Sequence, residues 1–146
     1  KSAEATPVIA LGEQVHKYLE KIGRIPYAFT CLLKSEALRR RHLVDNTISK
    51  LFYFARNDSE AKELRIHSLN ILKRLFQDSD LRFELDPFVS EAFVLSIKGF
   101  GTEDWGVRNS SLMLFSALSL RTLGPKPELN LMQFFQKCPS LVDYFM

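Results

Sequence analysis

One helical pattern is written twice in this chain. Leu64-Arg65-Ile66-His67-Ser68-Leu69-Asn70-Ile71-Leu72-Lys73-Arg74-Leu75 recurs as Val107-Arg108-Asn109-Ser110-Ser111-Leu112-Met113-Leu114-Phe115-Ser116-Ala117-Leu118, with Arg65 and Arg108 placed 43 residues apart. Apolar and small positions coincide along one helix face: Leu64 with Val107, Ser68 with Ser111, Ile71 with Leu114 and Leu75 with Leu118. A period of about 40 to 47 residues is that of two-helix HEAT or armadillo-type units. Such units cannot bury their apolar faces alone, so they stack, and stacked arrays serve as binding surfaces for other macromolecules. The expected fold is therefore all-α, a HEAT/armadillo-like superhelix.

The rest of the chain fits that reading. Thr6-Pro7 supplies a cap and a first helical residue for Val8, Leu11, Val15, Leu19 and Ile22, and Gly23 ends the run. Pro26 starts a short helix through Phe29 and Leu33, and Ser35 opens a longer one with the stripe Val44, Ile48, Leu51, Phe52 and Ala55. Asn57-Asp58-Ser59 turns the chain into the first copy of the repeat. Asp86-Pro87 is expected to cap a helix that buries Val89, Ala92, Phe93, Ser96, Ile97 and Phe100. Thr102 leads into the second copy, which Gly124-Pro125 terminates. Alternating strand patterns are missing.

One all-helical domain over residues 1–146 results, with repeat units at about 42–76 and 86–124 and short helices in 125–146. The chain opens at Lys1 and closes at Met146 directly after an apolar segment. A piece of a longer solenoid is expected, because solenoids end in capping units with a polar outer face.

Catalytic signatures do not emerge. Gly99-Phe100-Gly101 lacks the third glycine and the preceding strand of a dinucleotide loop. No phosphate-binding lysine loop, nucleophile elbow or zinc-binding His-Glu-x-x-His is present, and no nucleophile stands beside a base. No cofactor or metal is expected. Cys31 and Cys138 lack metal or redox spacing, which favours reduced thiols in a cytosolic or nuclear protein. The apolar runs are too short to span a bilayer. A net charge of +3 is a mild bias, so local clusters carry more information than the total.

Arg39-Arg40-Arg41 is the densest cluster. Three consecutive arginines cover most of a helical turn, so some of that charge faces outward, either as a solvated helix end or as a phosphate-contacting patch extended by Lys34, Lys50 and Arg56. Lys73-Arg74 is a second candidate. Arg65 and Arg108 open equivalent helices, where a guanidinium could contact phosphate, but the structural role toward carbonyl or acidic groups of the neighbouring unit is favoured, with Asp104 a ready partner. Trp105 is expected to wedge into the interior, where its removal costs about 3–5 kcal/mol.

Ile25-Pro26-Tyr27-Ala28-Phe29, Ile66-His67-Ser68-Leu69-Asn70-Ile71-Leu72-Lys73, the block from Asp104-Trp105-Gly106-Val107-Arg108-Asn109 to Phe115, and Phe134-Phe135-Gln136-Lys137-Cys138-Pro139-Ser140-Leu141 together resemble the central domain of the THADA family. The resemblance runs from about Ile25 to Met146. It implies a very long helical-repeat protein acting as the non-catalytic partner of an FtsJ-like ribose 2′-O-methyltransferase directed to nucleotide 32 of the tRNA anticodon loop. The family's Arg-Arg-Ser-Ala-Gly-Leu/Ile-Pro run is reduced here to Ile25 and Pro26, with Arg24 standing in for its basic residues. The candidate tRNA- or partner-contacting residues are therefore Arg24, from the motif remnant, together with Arg39, Arg40, Arg41, Lys73 and Arg74, from the charge clusters. A general protein-binding HEAT adaptor without an RNA role is the alternative.

Overall fold

A computed structural model describes residues 25–37, 41–56, 61–124 and 135–145. Its main helices are α1 (Ile25–Ala37), α2 (Arg41–Arg56), α3 (Lys62–Gln77), the single turn α4 (Arg82–Leu85), α5 (Val89–Phe100), α6 (Trp105–Leu123) and α7 (Pro139–Phe145), with a 3-10 turn at Asp86–Phe88. No strand occurs among the described residues. The described residues belong to the all-α class.

The helices lie in two layers. α1, α3 and α6 form one, α3 packing against both of the others; α2 and α5 form the second, with α7 against α5. Within each pair, α2 with α3 and α5 with α6, a short connection returns the chain antiparallel. The core between the layers is aromatic and aliphatic: Ile48, Leu51 and Phe52 of α2, Leu72, Leu75 and Phe76 of α3, Phe93 of α5, and Leu114 and Leu118 of α6 are essentially inaccessible. Phe93 meets Phe115 edge-on at 5.5 Å between ring centroids, which seats α5 against α6 beyond area burial alone.

The matched positions of the two repeat helices are buried alike at Leu64 and Val107, Ser68 and Ser111, Ile71 and Leu114, and Leu75 and Leu118. They part at Leu69, which is 1% exposed, and Leu112, which is 54% exposed. α3 is sandwiched between α1 and α6, whereas α6 has a neighbour in its own layer on one side among the described residues. Trp105, Leu112, Met113 and Leu120 consequently form an exposed apolar stripe on α6.

Several boundaries differ from the sequence reading. Ser35 does not open the long helix: its hydroxyl donates to the Leu32 carbonyl, 2.8 Å away, inside the last turn of α1, and α2 starts at Arg41. Serine bonding back to the preceding turn continues a helix rather than capping the next. Asp86 does not cap α5 either. The chain first makes α4 and the 3-10 turn, burying Leu81 and Leu85, and α5 begins at Val89. Phe100 is 38% exposed instead of buried, because it closes α5 where the chain leaves the layer at Gly101. The expected stop of α6 occurs at Gly124, whose φ of 77° is a left-handed conformation that glycine adopts freely. The expected helix before Gly23, the turn at 57–59, and Leu131 and Phe134 lie outside the described residues.

Candidate nucleic-acid interface

The turn into α6 is built around Asp104. Its carboxylate accepts the Val107 N–H at 3.0 Å, capping the helix, and lies 3.5 Å from Lys62 Nζ at the start of α3. The Val107 N–H, and then Lys62, lower the Asp104 pKa from 3.8, so its stabilising contribution is complete above that value and disappears as pH falls through the depressed folded-state value. Asp104→Asn, which keeps a cap acceptor and removes the charge, is expected to melt earlier than the wild type at neutral pH. The gap should close in strong acid; a gap of constant size across an acid titration followed by circular dichroism contradicts the assignment.

Asp104 is therefore engaged by Lys62 and the helix end rather than by the repeat arginines. Arg65 Nε donates to the Ala55 carbonyl at 2.9 Å, tying α3 to the end of α2. Arg108 Nη1 donates to the carbonyls of Thr102 and Glu103, both at 2.9 Å, within its own entry loop. The same residue type thus fastens a neighbouring helix in one copy and a local turn in the other.

Trp105 corrects the sequence reading most sharply. It is 71% exposed, because position 105 lies on the α6 face opposite Val107, Leu114 and Leu118. Helical periodicity puts residues 105, 112 and 116 together on the outward side. Trp105→Ala is now expected to change stability by no more than about 0.5 kcal/mol, as for other surface substitutions. A melting-temperature loss of the size that follows removal of a core aromatic would restore the interior assignment.

Of the basic candidates, Arg24, Arg39 and Arg40 fall outside the described residues, and Arg41 is placed as the first residue of α2. Ile25 and Pro26 start α1, and the Pro26 carbonyl accepts from Thr30 Oγ1 at 2.7 Å. Two of the three residues expected to extend the Arg39–Arg41 patch, Lys34 and Arg56, are paired with carboxylates elsewhere. Lys34, on α1 rather than on the arginine-bearing helix, bridges Asp78 at 3.0 Å and Asp80 at 2.7 Å, and these carboxylates raise its pKa, Asp80 most. Arg56 pairs with Glu91 at 3.0 Å and has its guanidinium over the Phe52 ring. Lys50 is exposed on α2.

Lys73 and Arg74 lie where α3 and α6 end side by side. Lys73 borders a shallow groove with Leu112, Met113 and Leu120; Arg74 borders an adjoining open cavity of about 800 Å³ with Arg82, Arg121 and Lys137. Sequence reading found Arg74 and missed the other three. They are spread from position 82 to 137 with no local clustering, so only the packing of the two layers unites them.

Arg121 sits at the base of this cavity with its side chain 8% exposed. Its guanidinium donates to the Phe76 carbonyl at 3.2 Å, the Arg82 carbonyl at 2.5 Å and Asp86 Oδ1 at 2.7 Å, and lies 5.6 Å from the Phe76 ring centroid. Lys137 Nζ donates to the Thr122 carbonyl at 3.0 Å. The described residues contain no group of histidine, cysteine and carboxylate side chains placed to hold a metal, and no helix long and apolar enough to cross a membrane.

Residues 11–106 match the family model described as THADA/TRM732, DUF2428. The chain belongs to the THADA/TRM732 family. It is 33% identical over 142 residues to the tRNA (32-2′-O)-methyltransferase regulator trm732 of Schizosaccharomyces pombe, a match covering 85% of this chain and 10% of that protein. It is 36% identical over 134 residues to the tRNA (32-2′-O)-methyltransferase regulator THADA of Gallus gallus and 34% identical to that of Homo sapiens, covering 84% of this chain and 7% of each relative. The chain thus spans a tenth or less of these relatives' lengths. No solved structure matches it.

Proposed function

We propose that this protein is a non-catalytic regulatory subunit that partners an FtsJ-like tRNA 2′-O-ribose methyltransferase in the cytoplasm and positions tRNA for methylation at nucleotide 32 of the anticodon loop. The observation that carries the reading is the family membership, together with relatives that are themselves named regulators of a tRNA (32-2′-O)-methyltransferase. The chain offers helical surfaces and basic groups, which is what a positioning subunit supplies. Holding two reactants in register lowers a barrier by several kcal/mol without a reacting group on the scaffold.

In this reading the helices are successive HEAT-like units at about 42–76 and 86–124, followed by short covering helices in 125–146. The shared burial of Leu64 with Val107 and of Ile71 with Leu114 supports it. Arg24, Arg39, Arg40, Arg41, Lys73 and Arg74 are the residues proposed to meet tRNA or the methyltransferase, and Ile25 and Pro26 keep the remnant of the family motif.

The test is methylation of tRNA at position 32 by the purified methyltransferase with and without the full-length protein. Modification should depend on the protein, and the protein alone should transfer no methyl group. Equal modification in its absence overturns the regulatory role. One observation favours the adaptor alternative: the exposed apolar stripe of Trp105, Leu112, Met113 and Leu120 suits contact with protein better than with RNA. Capture of protein partners without tRNA retention, insensitive to salt and to charge reversal at Arg39, Arg40 and Arg41, would select it.

A further inference from the structure

The two helical layers gather cations that are far apart in the sequence at one end of the fold. α3 and α6 run parallel, since Lys62 lies by Asp104 at their starts and Arg121 bonds the Phe76 carbonyl at their ends. α2 runs antiparallel to α3, held by Arg65 at the Ala55 carbonyl, so Arg41 begins α2 at the end where α3 stops. Arg74, Arg82, Arg121 and Lys137 share the cavity at this end.

Three of the carboxylates nearby are already paired. Asp78 and Asp80 are bridged by Lys34, and Asp86 accepts from Arg121. The Arg82 guanidinium, by contrast, is exposed and has no hydrogen-bond or ion-pair partner among the described residues. Lys137 is exposed, and its one described bond, to the Thr122 carbonyl, leaves two ammonium N–H groups for another acceptor. The groove of about 570 Å³ at the opposite end also carries cations, but Arg56 and Lys62 there are paired with Glu91 and Asp104. The two ends hold similar residue types, but only the end where α3 and α6 stop leaves an exposed guanidinium with no hydrogen-bond or ion-pair partner among the described residues. At the other, the exposed Lys98 ammonium lies over the Tyr144 ring.

We propose that the cavity bordered by Arg74, Arg82 and Lys137, with Arg121 as its fixed floor, is a binding site for the ribose-phosphate backbone of RNA. Arg82 supplies a planar fork suited to two phosphate oxygens, and Lys137 a point charge that tolerates small shifts of the strand. Arg121 is a positioning residue: its three bonds fix the turn that carries Arg82 against the end of α6. Phosphate contacts set register without reading sequence, so the site holds RNA in place and leaves nucleotide choice to other surfaces. The cavity lies at the same end of the fold as the start of α2.

The inference rests on the tRNA-positioning reading, and the experiment separates the two. Full-length wild type and the Arg82→Ala/Lys137→Ala double variant are compared for binding of purified tRNA across a salt titration, for capture of the methyltransferase, and for melting temperature. Lys98→Ala, at the far end of α5, serves as control. The double variant should bind tRNA on the order of tenfold more weakly, with its log–log salt slope reduced by about 1.5, while its melting temperature and methyltransferase capture stay those of the wild type. Lys98→Ala should match the wild type. If the wild type retains tRNA and the double variant retains it with equal affinity and slope, the site assignment falls while the functional reading stands. Loss of methyltransferase capture with tRNA binding intact makes the cavity a protein-docking site and also overturns it. Failure of the wild type itself to retain tRNA removes the reading on which the inference rests.

Discussion

Arg121→Ala is expected to destabilise the protein by about 3 kcal/mol, lowering its melting temperature by on the order of 10 °C. The guanidinium is nearly inaccessible and donates to two carbonyls and one carboxylate drawn from α3, α4 and the 3-10 turn. Hydrogen bonds to a charged group contribute about 1.5–3 kcal/mol each, but they are not additive, and Asp86 is 56% exposed and so contributes little. Truncation also strips aliphatic and guanidinium contact from the Phe76 ring and leaves the Phe76 carbonyl without this donor. Arg121→Lys should recover only a small part of the loss, because one ammonium cannot reproduce a planar fork spanning three acceptors. Thermal unfolding distinguishes the cases. Equal melting temperatures for Arg121→Lys and the wild type would mean that charge alone, not geometry, holds the turn.

Gly99→Ala should be nearly as damaging, at about 3 kcal/mol, through overpacking of the α5–α6 crossing. A Cβ at Gly99 would stand 1.9 Å from Ser111 Oγ and 2.6 Å from Ser111 Cβ. The hydroxyl can rotate away; the Cβ is fixed to the backbone, so the helices must separate where Phe93 and Phe115 pack. Ser111 Oγ itself is buried and has no hydrogen-bond partner. Removing the serine side chain in Gly99→Ala/Ser111→Gly should therefore return much of the lost stability, since the helix propensity lost at position 111 is offset by that gained at position 99. Denaturant unfolding of the single and double variants measures this coupling, and additive losses would show that the crossing does not depend on the Gly99–Ser111 contact.

The Gly99–Ser111 pair also shows how the sequence can be right about a position and silent about its reason. Ser68 and Ser111 align as small residues of the repeated helix, and both are fully buried. Ser68 Oγ donates to the Leu64 carbonyl at 2.8 Å, while Ser111 makes room for Gly99. Spacing marks each as inward; it does not report what lies opposite. The same gap explains Trp105. A tryptophan beside a helix start has a large apolar surface, which argued for burial, but its angular position on α6 puts it outside, and the α6 pattern is apolar on nearly every side. A helix that offers apolar residues all round does not reveal which stripe its described neighbours cover.

By itself the sequence determined the helical class, most of the buried positions of α2, α3 and α6, and the family resemblance through blocks such as Asp104 to Phe115. These follow from short-range rules, since periodicity, caps and glycine stops act over one or two turns. Tertiary structure decided which cations are free. Lys34 and Arg56 read as parts of a basic patch until carboxylates 44 and 35 residues further along the chain were brought against them. Arg82, Arg121 and Lys137 meet only because α6 ends beside α3 and the short α4 turn closes over both. Charge interacts through space, falling off over about 8 Å in physiological salt, and that distance bears no relation to separation along the chain.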